Sequence, residues 1–153
     1  MRSDAEAAVR ALGFLDTLSS NDRIDIAVVY SPTAPQGKAQ ALALASTLSA
    51  MQGPGSRTLH AETMSADELA QTQKRPDVLF LSPGSVSSSA DIGDFIRRRH
   101  VVSISDDPAC LDARCCVLMV STANGVNIVL DTALADTVGA RFSTVFAMMV
   151  KRK

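Results

Sequence analysis

Three short apolar runs constrain the fold of this chain more than any other feature of the sequence. They are rich in β-branched residues and nearly free of charge, and they are IDIAVVY at 24–30, DVLFLS at 77–82 and VVSIS at 101–105. Such runs are typical of strands that are buried on both faces of a sheet. Segments with helical periodicity precede or separate them, at 3–18, 36–51, 65–73 and 89–100. The alternation predicts adjacent parallel strands joined by right-handed crossovers, with helices on both faces.

The last third of the chain has a different pattern. CVLMVST (116–122) and VNIVLD (126–131) flank Asn124–Gly125, and Asn-Gly between apolar runs is the strongest short signal for a β-hairpin. From about residue 131 we expect a helix with five apolar residues on its inward face: Leu134, Val138, Phe142, Val145 and Met149. We therefore predict one three-layer α/β domain over residues 1–153, with a mostly parallel sheet, helices on both faces and a C-terminal antiparallel hairpin plus helix.

Charge and composition argue against several classes of function. The 15 basic and 16 acidic residues leave a formal net charge of −1, whereas nucleic-acid-binding proteins usually carry a clear basic excess. The two basic clusters, 97–99 and 151–153, are typical of helix ends that face water. Trp is absent and Tyr30 is the only tyrosine, so an aromatic platform for stacked bases is lacking. No apolar run reaches the length of a membrane span. We expect neither a nucleic-acid partner nor a membrane-spanning segment.

No combination of residues in the sequence predicts catalysis. A nucleophilic serine needs a base, but His60 and His100 are the only histidines and no serine stands in a G-x-S-x-G motif. Gly37–Lys38 follows a strand, but the leading glycine and the Ser/Thr of a phosphate-binding loop are missing. Neither histidine has metal-ligand spacing, and Asp106–Asp107 before Pro108 is typical of a turn. We expect no enzyme activity, no catalytic residue, no metal site and no cofactor.

A serine-rich segment, SPGSVSSS at 82–89, follows the second buried strand and precedes a helix. In open α/β sheets, ligands and especially anions bind where the carboxyl ends of strands meet helix N-termini. Five residues therefore form a candidate ligand site, and they are Ser31, Ser82, Gly84, Ser85 and Ser87. Ser31 is included because it follows the first buried strand, which places it at the same edge if the two strands are neighbours. Alternatively, the serines cap the helix and keep the loop soluble.

Several segments of the chain together match the pattern of a known family. Residues 103–149 contain a strand with an acidic exit, a cysteine-containing loop, a hairpin, and a last strand and helix, VNIVLDTALADTVGARFSTVFAMM, and RPDVLFLSPGS and ALGFLDTL provide a central strand and a first helix. In these features the chain resembles the YfiR/HmsC-like family of small bacterial periplasmic regulators. It departs from the family where Arg75–Pro76–Asp77 replaces a cysteine, so a second family disulfide cannot form, and where Asp131 replaces an asparagine and Ile128 an aromatic residue.

The resemblance implies a regulatory function. Members of the family are similar to inhibitors that bind the periplasmic sensor region of membrane-bound diguanylate cyclases and so control cyclic-di-GMP signalling and biofilm formation. We therefore expect a periplasmic regulator with such a membrane-bound partner, and a small-molecule or anion-binding sensor is the alternative. A periplasmic location implies that a leader peptide has been removed; a cytoplasmic location is the alternative. Met119, Met148 and Met149 offer adaptable surface for a homodimer, but they are equally typical of a core.

The resemblance also implies a disulfide in the loop that holds Cys110, Cys115 and Cys116. We expect the bridge to join Cys110 to Cys116, with Cys115 as the other candidate. Neighbouring residues of a strand point to opposite sides, so only one of the two should face Cys110. A bridge across so short a loop stabilises the fold by only about 2 kcal/mol, which together with an exposed position would suit a redox switch. Alternatively, all three cysteines are reduced and at least two of them are buried.

Overall fold

The structure is a computed structural model that describes residues 2–153, and a seven-stranded sheet forms its centre. The strands are β1 (Arg23–Tyr30), β2 (Thr58–Ser65), β3 (Val78–Leu81), β4 (Val102–Ser105), β5 (Leu118–Ser121), β6 (Asn127–Leu130) and β7 (Lys151–Arg152). Their order across the sheet is β2-β1-β3-β4-β5-β6-β7. All neighbouring strands are parallel except β5 and β6, which form an antiparallel hairpin. The mostly parallel sheet, the adjacency of its three apolar strands and the hairpin are confirmed.

Helices cover both faces of the sheet. They are α1 (Arg2–Leu12), α2 (Gly37–Ser49), α3 (Ala66–Gln71), α4 (Ser89–Arg99), α5 (Ala109–Asp112), α6 (Thr132–Val138) and α7 (Thr144–Met149). α1 packs against α2 on one face, whereas α4 packs against α3 and α6 on the other. Right-handed crossovers produce this division, because the chain leaves β1 in one direction along the sheet and leaves β3 in the other. Within the described residues, no helix is both long and apolar enough to cross a membrane.

The centre of the sheet is buried because its strands carry apolar residues on both sides. All four residues of β3 and all four of β4 are buried. α1 covers one face with Ala5, Ala8 and Leu12, which recur at helical spacing, and α4 covers the other with Phe95 and Ile96. These two helical layers hold the strands in place. They thereby define the positions of the residues that follow each strand, where the candidate ligand site was predicted.

The C-terminal helix is present, but a break divides it in two. α6 ends at Gly139, whose φ of +76° belongs to the left-handed region that glycine adopts readily. α7 begins at a new cap, where the Ser143 side chain accepts a hydrogen bond from the Phe146 N–H. A single helix over 131–149 would have placed Val145 and Met149 on the inward face. The break changes the direction of the chain and therefore changes which residues of α7 are buried.

The first helix is also shorter than its sequence pattern predicts. The pattern extended over 3–18, whereas α1 ends at Leu12. The backbone beyond α1 pairs with the break between α6 and α7: Leu15 and Phe142 form an antiparallel bridge, and Ser143 N donates to Phe14 O at 2.8 Å. These bonds satisfy backbone groups that a longer helix would have satisfied internally. The two helix ends therefore depend on each other, although they lie at opposite ends of the sequence.

Candidate functional site

The carboxyl ends of β1 and β3 lie side by side at the point where the chain reverses its direction across the sheet. The crossover from β1 leads to β2 at one edge, whereas β3 is followed by β4 on the opposite side. Ser82 N donates to Val29 O at 2.9 Å, so the first residue after β3 is bonded to β1. Ser31 and Ser82, which follow the two strands, are both buried. This is the topological switch point, at which open α/β sheets usually bind their ligands.

Four hydroxyl groups meet at the switch point, and we call them the serine cluster: Ser31, Thr33, Ser87 and Ser88. Ser31 Oγ lies at the centre and accepts hydrogen bonds from Ser87 Oγ and Ser88 Oγ, each at 2.8 Å. Thr33 Oγ1 lies 3.1 Å from Ser31 Oγ and 3.4 Å from Ser87 Oγ. The structure thus brings two predicted site residues, Ser31 and Ser87, into direct contact. Because these hydroxyls satisfy one another, a ligand would have to displace hydrogen bonds that are already formed.

The other three predicted site residues form the turn beside the serine cluster. Ser85 Oγ donates to the Ser82 carbonyl at 2.6 Å. Ser82 Oγ is buried and has no hydrogen-bond partner among the described residues, which is unfavourable for a hydroxyl group. Gly84 has a φ of +84°, and a Cβ at this position would lie 2.8 Å from the Ala34 Cβ. Only glycine therefore allows this turn to approach the loop after β1 so closely.

A narrow cleft opens next to the switch point, between α1 and the carboxyl ends of β3 and β4. Residues from these elements line it, among them Asp4, Ala8, Leu81, Pro83, Ile104 and Asp106. The cleft encloses about 30 Å³. A volume of that order holds a water molecule or two, far less than a metabolite occupies. The switch point therefore has the polar groups of a ligand site without the space of one.

Asp4 and Asp106 line this cleft and contact each other through their carboxyl groups. Asp4 Oδ1 accepts hydrogen bonds from the Thr122 N–H at 2.7 Å and from the Thr122 hydroxyl at 2.6 Å. Burial, and then the charge of Asp4 and the hydrogen bond to it, raise the pKa of Asp106. Burial acts to raise the pKa of Asp4 too, but the hydrogen bonds from Thr122 and Asp106 outweigh it and lower that pKa. Asp106 is therefore the partner that carries the proton when the pair holds one.

The carboxyl pair was not predicted from the sequence, which indicated only a turn at Asp106–Asp107. The turn is present, since Asp107 Oδ1 accepts a hydrogen bond from the Ala109 N–H at 2.9 Å. The contact of Asp4 with Asp106 links α1 to the end of β4, and the hydrogen bonds from Thr122 to Asp4 link α1 to the end of β5. No local pattern signals this contact, because Asp4 lies on the first helix and reads as an ordinary acidic residue in a first turn.

The three cysteines converge in the core. Cys110 lies on α5, Cys115 and Cys116 precede β5, and all three are fully buried free thiols. The Cys110 thiol interacts with the thiols of both Cys115 and Cys116. These contacts lower the pKa of Cys110, whereas the contact with Cys110 and burial raise the pKa of Cys115 and of Cys116. Cys110 is therefore the thiol of the three that loses its proton most readily.

The structure differs from the expectations for this loop in three ways. The Cys110–Cys116 bridge is not formed, the three residues are buried instead of exposed, and both neighbours face Cys110. The last difference arises because Cys115 and Cys116 lie in a turn, where strand alternation does not apply. Arg114 has a φ of +58°, and Cys115 N donates to Cys110 O at 3.0 Å. Within residues 2–153, no group of His, Cys, Asp or Glu side chains is arranged to hold a metal ion.

Asp131, one of the departures from the YfiR/HmsC-like pattern, connects the cysteine loop to α6. Its Oδ1 atom accepts a hydrogen bond from the Leu134 N–H at 3.0 Å and thereby caps the helix. Its Oδ2 atom lies 3.3 Å from Arg114 Nε, a distance typical of an ion pair, although the geometry is not that of a hydrogen bond. Because the carboxylate is buried, it needs a nearby cation. Arg114 of the cysteine loop supplies that cation.

Five large apolar side chains are exposed around α7, and we call them the apolar face: Phe14, Val126, Val145, Met148 and Met149. They are between 38% and 77% exposed. Within the described residues, the other exposed side chain of this kind is Leu42 on α2. The expectation that Val145 and Met149 face inward was wrong, because Phe146 is the buried residue of α7. Met119, in contrast, belongs to the core.

A groove runs along the apolar face, between α1 on one side and β6 and α7 on the other. It encloses about 310 Å³. Its lining includes the small residues Ala7 and Ala11 of α1 and the Phe146 ring. The rings of Phe14 and Phe146 are nearly parallel, and their centroids are 5.1 Å apart. Phe14 therefore extends the apolar surface from the groove to the outside of the molecule. The groove is the larger of these two spaces, and the sequence did not indicate it.

Solved structures share this fold. The ABC domain from Streptococcus pneumonia in complex with L-Trp matches with a TM-score of 0.70 at 10% identity, over 97% of this chain and 61% of its own. A conserved domain protein from Vibrio cholerae matches with a TM-score of 0.69 at 10% identity, over 99% and 60%. A ligand-free substrate-binding protein with adhesive properties from Clostridium difficile matches with a TM-score of 0.61 at 11% identity, over 85% and 54%.

These similarities show the class of fold to which the chain belongs. It is an α/β domain with the fold of these three structures, and it spans between 54% and 61% of those chains. By sequence, the chain matches no protein-family model and no curated protein. At about a tenth of identical residues, the similarity extends to the fold alone, since one fold hosts many unrelated functions.

Proposed function

We propose that this chain is a regulatory protein that binds a partner protein through the apolar face and catalyses no reaction itself. The clustered exposure of five large apolar side chains is the observation that carries the proposal. Clusters of this kind mark interaction surfaces, whereas single exposed apolar residues are ordinary. Met148 and Met149 contribute much of the exposed area, and the flexible thioether side chain adapts readily to the shape of a partner.

The partner that we propose follows from the resemblance to the YfiR/HmsC-like family. On this proposal the chain works in the periplasm and inhibits a membrane-bound diguanylate cyclase by binding its periplasmic sensor region. Inhibition would lower cyclic-di-GMP and restrain biofilm formation. The segment 131–149 supports the assignment because it carries part of the resemblance and also forms α6 and α7, and so supplies three residues of the apolar face.

Co-expression with the membrane-bound diguanylate cyclases of the same organism tests this proposal. The chain, directed to the periplasm, should lower cyclic-di-GMP and should bind the purified sensor region of its target. Met149→Asp should weaken that binding by about tenfold or more, because it places a charge in the apolar face. Leu42→Asp, which changes an equally apolar exposed residue on α2, is the matched control and should bind normally. Sensor regions that do not bind the wild-type chain would contradict the proposal.

We also propose that oxidation of the cysteine loop modulates this regulator, with Cys110–Cys116 as the bridge, and that local opening of the loop first exposes the buried thiols to the oxidant. Two thiols would lose two protons and two electrons to an external disulfide oxidant. The contact of Cys110 with Cys116 supports this pairing, and its contact with Cys115 makes Cys115 the competitor. Titration of free thiols in denaturant, after exposure to oxidised glutathione, should find one thiol. Cys116→Ser should then leave two thiols if Cys115 cannot replace it, and three thiols in the oxidised wild-type chain would exclude a bridge.

A second function is favoured by the unpartnered Ser82 hydroxyl at the switch point. A small polar ligand that hydrogen-bonds to this hydroxyl would give it the partner that it lacks. The fold is also one that binding proteins use. Because the adjacent cleft is far smaller than a metabolite, such a ligand would have to widen it on binding. The first probes are inorganic anions and amino acids, since the pneumococcal structure contains L-Trp. Binding should raise the unfolding temperature of the wild-type chain and should be lost in Ser82→Ala. If amino acids, phosphate and sulfate all leave the unfolding temperature unchanged, this second function is wrong.

A further inference from the structure

We infer that the groove on the apolar face accepts an amphipathic segment of the partner, in which carboxylates flank the apolar side chains. The inference rests on the proposed function and specifies the chemistry of its partner. It follows from three observations: the charge of the groove, its shape, and the consequence of placing two copies of the chain face to face.

The charge of the groove has one sign. Arg10 of α1 and Lys151 of β7 are the charged side chains that line it, and both are exposed. Neither forms an ion pair within residues 2–153, and neither does the exposed neighbouring residue Arg152. Cations without partners next to an apolar surface attract carboxylates and set the orientation of the ligand that carries them. The groove therefore favours an apolar segment with acidic ends.

The shape of the groove suits a peptide segment better than a small molecule. Its volume of about 310 Å³ is enough for one or two large side chains to enter between Ala7, Ala11 and Phe146. Val145 and Met148 lie outside the groove lining on the exposed side of α7. A small ligand would leave them in water, whereas a segment that crosses α7 would cover them and fill the groove together. Helices that insert apolar side chains at regular spacing into such grooves are a common mode of recognition.

A second copy of the chain fits the groove poorly. In a two-fold symmetric dimer the same surface meets itself, so each copy would bring its Arg10 and Lys151 to the contact. No acidic residue lines the groove to pair with them. Repulsion between like charges across an interface costs binding energy, which the apolar contacts would have to overcome. The charge pattern therefore favours a different protein with complementary acidic groups over a homodimer.

Two designed helical peptides test the inference. They share one Leu/Ala amphipathic core of about 15 residues, long enough to form a short helix on binding, and carry Glu residues at both ends in one and Lys residues in the other. Binding of each fluorescently labelled peptide to the full chain is measured by anisotropy. We expect the Glu-flanked peptide to bind at least about tenfold more tightly than the Lys-flanked one, with the difference shrinking as salt is added.

Charge reversal on the protein provides the matched comparison. R10E/K151E should lose its preference for the Glu-flanked peptide and prefer the Lys-flanked one. K38E/K74E replaces two exposed lysines away from the groove and changes the net charge of the protein by the same amount. This variant should bind the two peptides as the wild type does. Equal binding of the two peptides, or equal effects of the two double variants, would overturn the inference, because the attraction would then come from apolar contact or from overall charge alone.

Two further results would overturn it in favour of another occupant. Binding to anionic phosphatidylglycerol vesicles that R10E/K151E abolishes, with no binding of either peptide, would assign the face to a lipid surface. Sedimentation as a dimer that Met149→Asp dissociates would assign it to a second copy. The sensor-region assay separates this inference from the proposed function. If a sensor region binds the wild-type chain and R10E/K151E equally well, the proposed regulatory function stands, but the inference that the partner segment is acidic is wrong.

Discussion

The serine cluster and the apolar face differ in how far the fold itself satisfies their side chains. In the serine cluster, Ser31 has three hydroxyl neighbours, and the adjacent turn at Gly84 is packed against Ala34. On the apolar face, Met148 and Met149 are largely in water, and Arg10 and Lys151 beside them lack acidic partners within residues 2–153. The first region is polar and closed, and the second is apolar and open.

This difference shows that a residue pattern typical of a ligand site can instead form hydrogen bonds that hold the fold together. Serines at the carboxyl ends of strands are suited to anion binding, but they are equally suited to join two loops at a switch point. An apolar surface in water, in contrast, is unfavourable until something covers it. The free energy that remains to be gained therefore lies mainly at the apolar face. Substitutions in the serine cluster should affect stability, and those on the apolar face should affect binding.

The largest effect on stability is expected at Gly84. Gly84→Ala should destabilise the fold by about 3 kcal/mol for two reasons. The new Cβ would lie too close to Ala34, and alanine disfavours the backbone conformation of this position. Gly125→Ala is the matched control, since Gly125 has nearly the same φ, +85°, but open space around it. It should cost only about 1 kcal/mol. Urea denaturation of both variants measures the difference, and equal losses would show that the close packing at Gly84 is unimportant.

A smaller effect, with a contrast between two serines, is expected within the switch point. Ser31→Ala removes the acceptor for Ser87 and Ser88 and should cost about 1.5 kcal/mol. Ser82→Ala removes a buried hydroxyl that has no partner, so stability should stay within about 0.5 kcal/mol of the wild type or rise. The free energy of unfolding in urea measures both. A large loss in Ser82→Ala would mean that its hydroxyl is bonded after all, and would weaken the case for a ligand there.

The carboxyl pair should produce a small effect that depends on pH. Because the pKa of Asp106 is raised, its contribution to stability is present at low pH and is lost as pH rises from the ordinary carboxyl range through the raised value. Asp106→Asn keeps a donor for Asp4 and removes the charge, so it should be more stable than the wild type by about 0.5 kcal/mol near neutral pH, a small gain because water screens the partly exposed pair.

The sign of the effect at low pH distinguishes this explanation from others. Asp4 has the opposite behaviour: its pKa is lowered, so its contribution is lost as pH falls through that lowered value. The advantage of Asp106→Asn should therefore shrink as pH falls through the raised pKa of Asp106 toward the ordinary carboxyl range, because Asp106 of the wild type gains its proton there. Thermal unfolding across this pH range measures the gap. A gap that widens on acidification would contradict the assignment of the proton to Asp106.

The smallest effect on stability is expected on the apolar face. Met148→Gln and Met149→Gln replace exposed thioethers by amides of similar length, so the free energy of unfolding should change by less than about 0.5 kcal/mol each. The same variants should weaken binding to the sensor region that we propose as the partner. Loss of stability in step with loss of binding would show that these methionines support the fold, and the contrast between the two regions would then disappear.

Much of the fold could be predicted from the sequence because the relevant signals are local. The apolar runs at 24–30, 77–82 and 101–105 are buried strands, since few other structures bury so many β-branched residues in so short a segment. Asn124–Gly125 forms the expected hairpin between β5 and β6. The placement of Ser31 beside the segment 82–89 was predicted on the condition that the two parallel strands are neighbours, whereas the hydrogen bond between Ser31 and Ser87 was not predicted.

What the sequence by itself determined is therefore the three buried strands with their parallel direction, the β5–β6 hairpin and the polar groups that follow the buried strands. Strand β7 was not predicted, because the basic residues 151–153 are typical of a helix end. Only the tertiary structure decided that the segments beyond the helix ends at Leu12 and Gly139 pair with each other, because they come from opposite ends of the chain. That pairing exposes Val145 and Met149, which helical periodicity had placed in the core. The apolar face thus depends on long-range backbone hydrogen bonds. Periodicity records which residues share a side of a helix, but only the packed fold decides which side meets water.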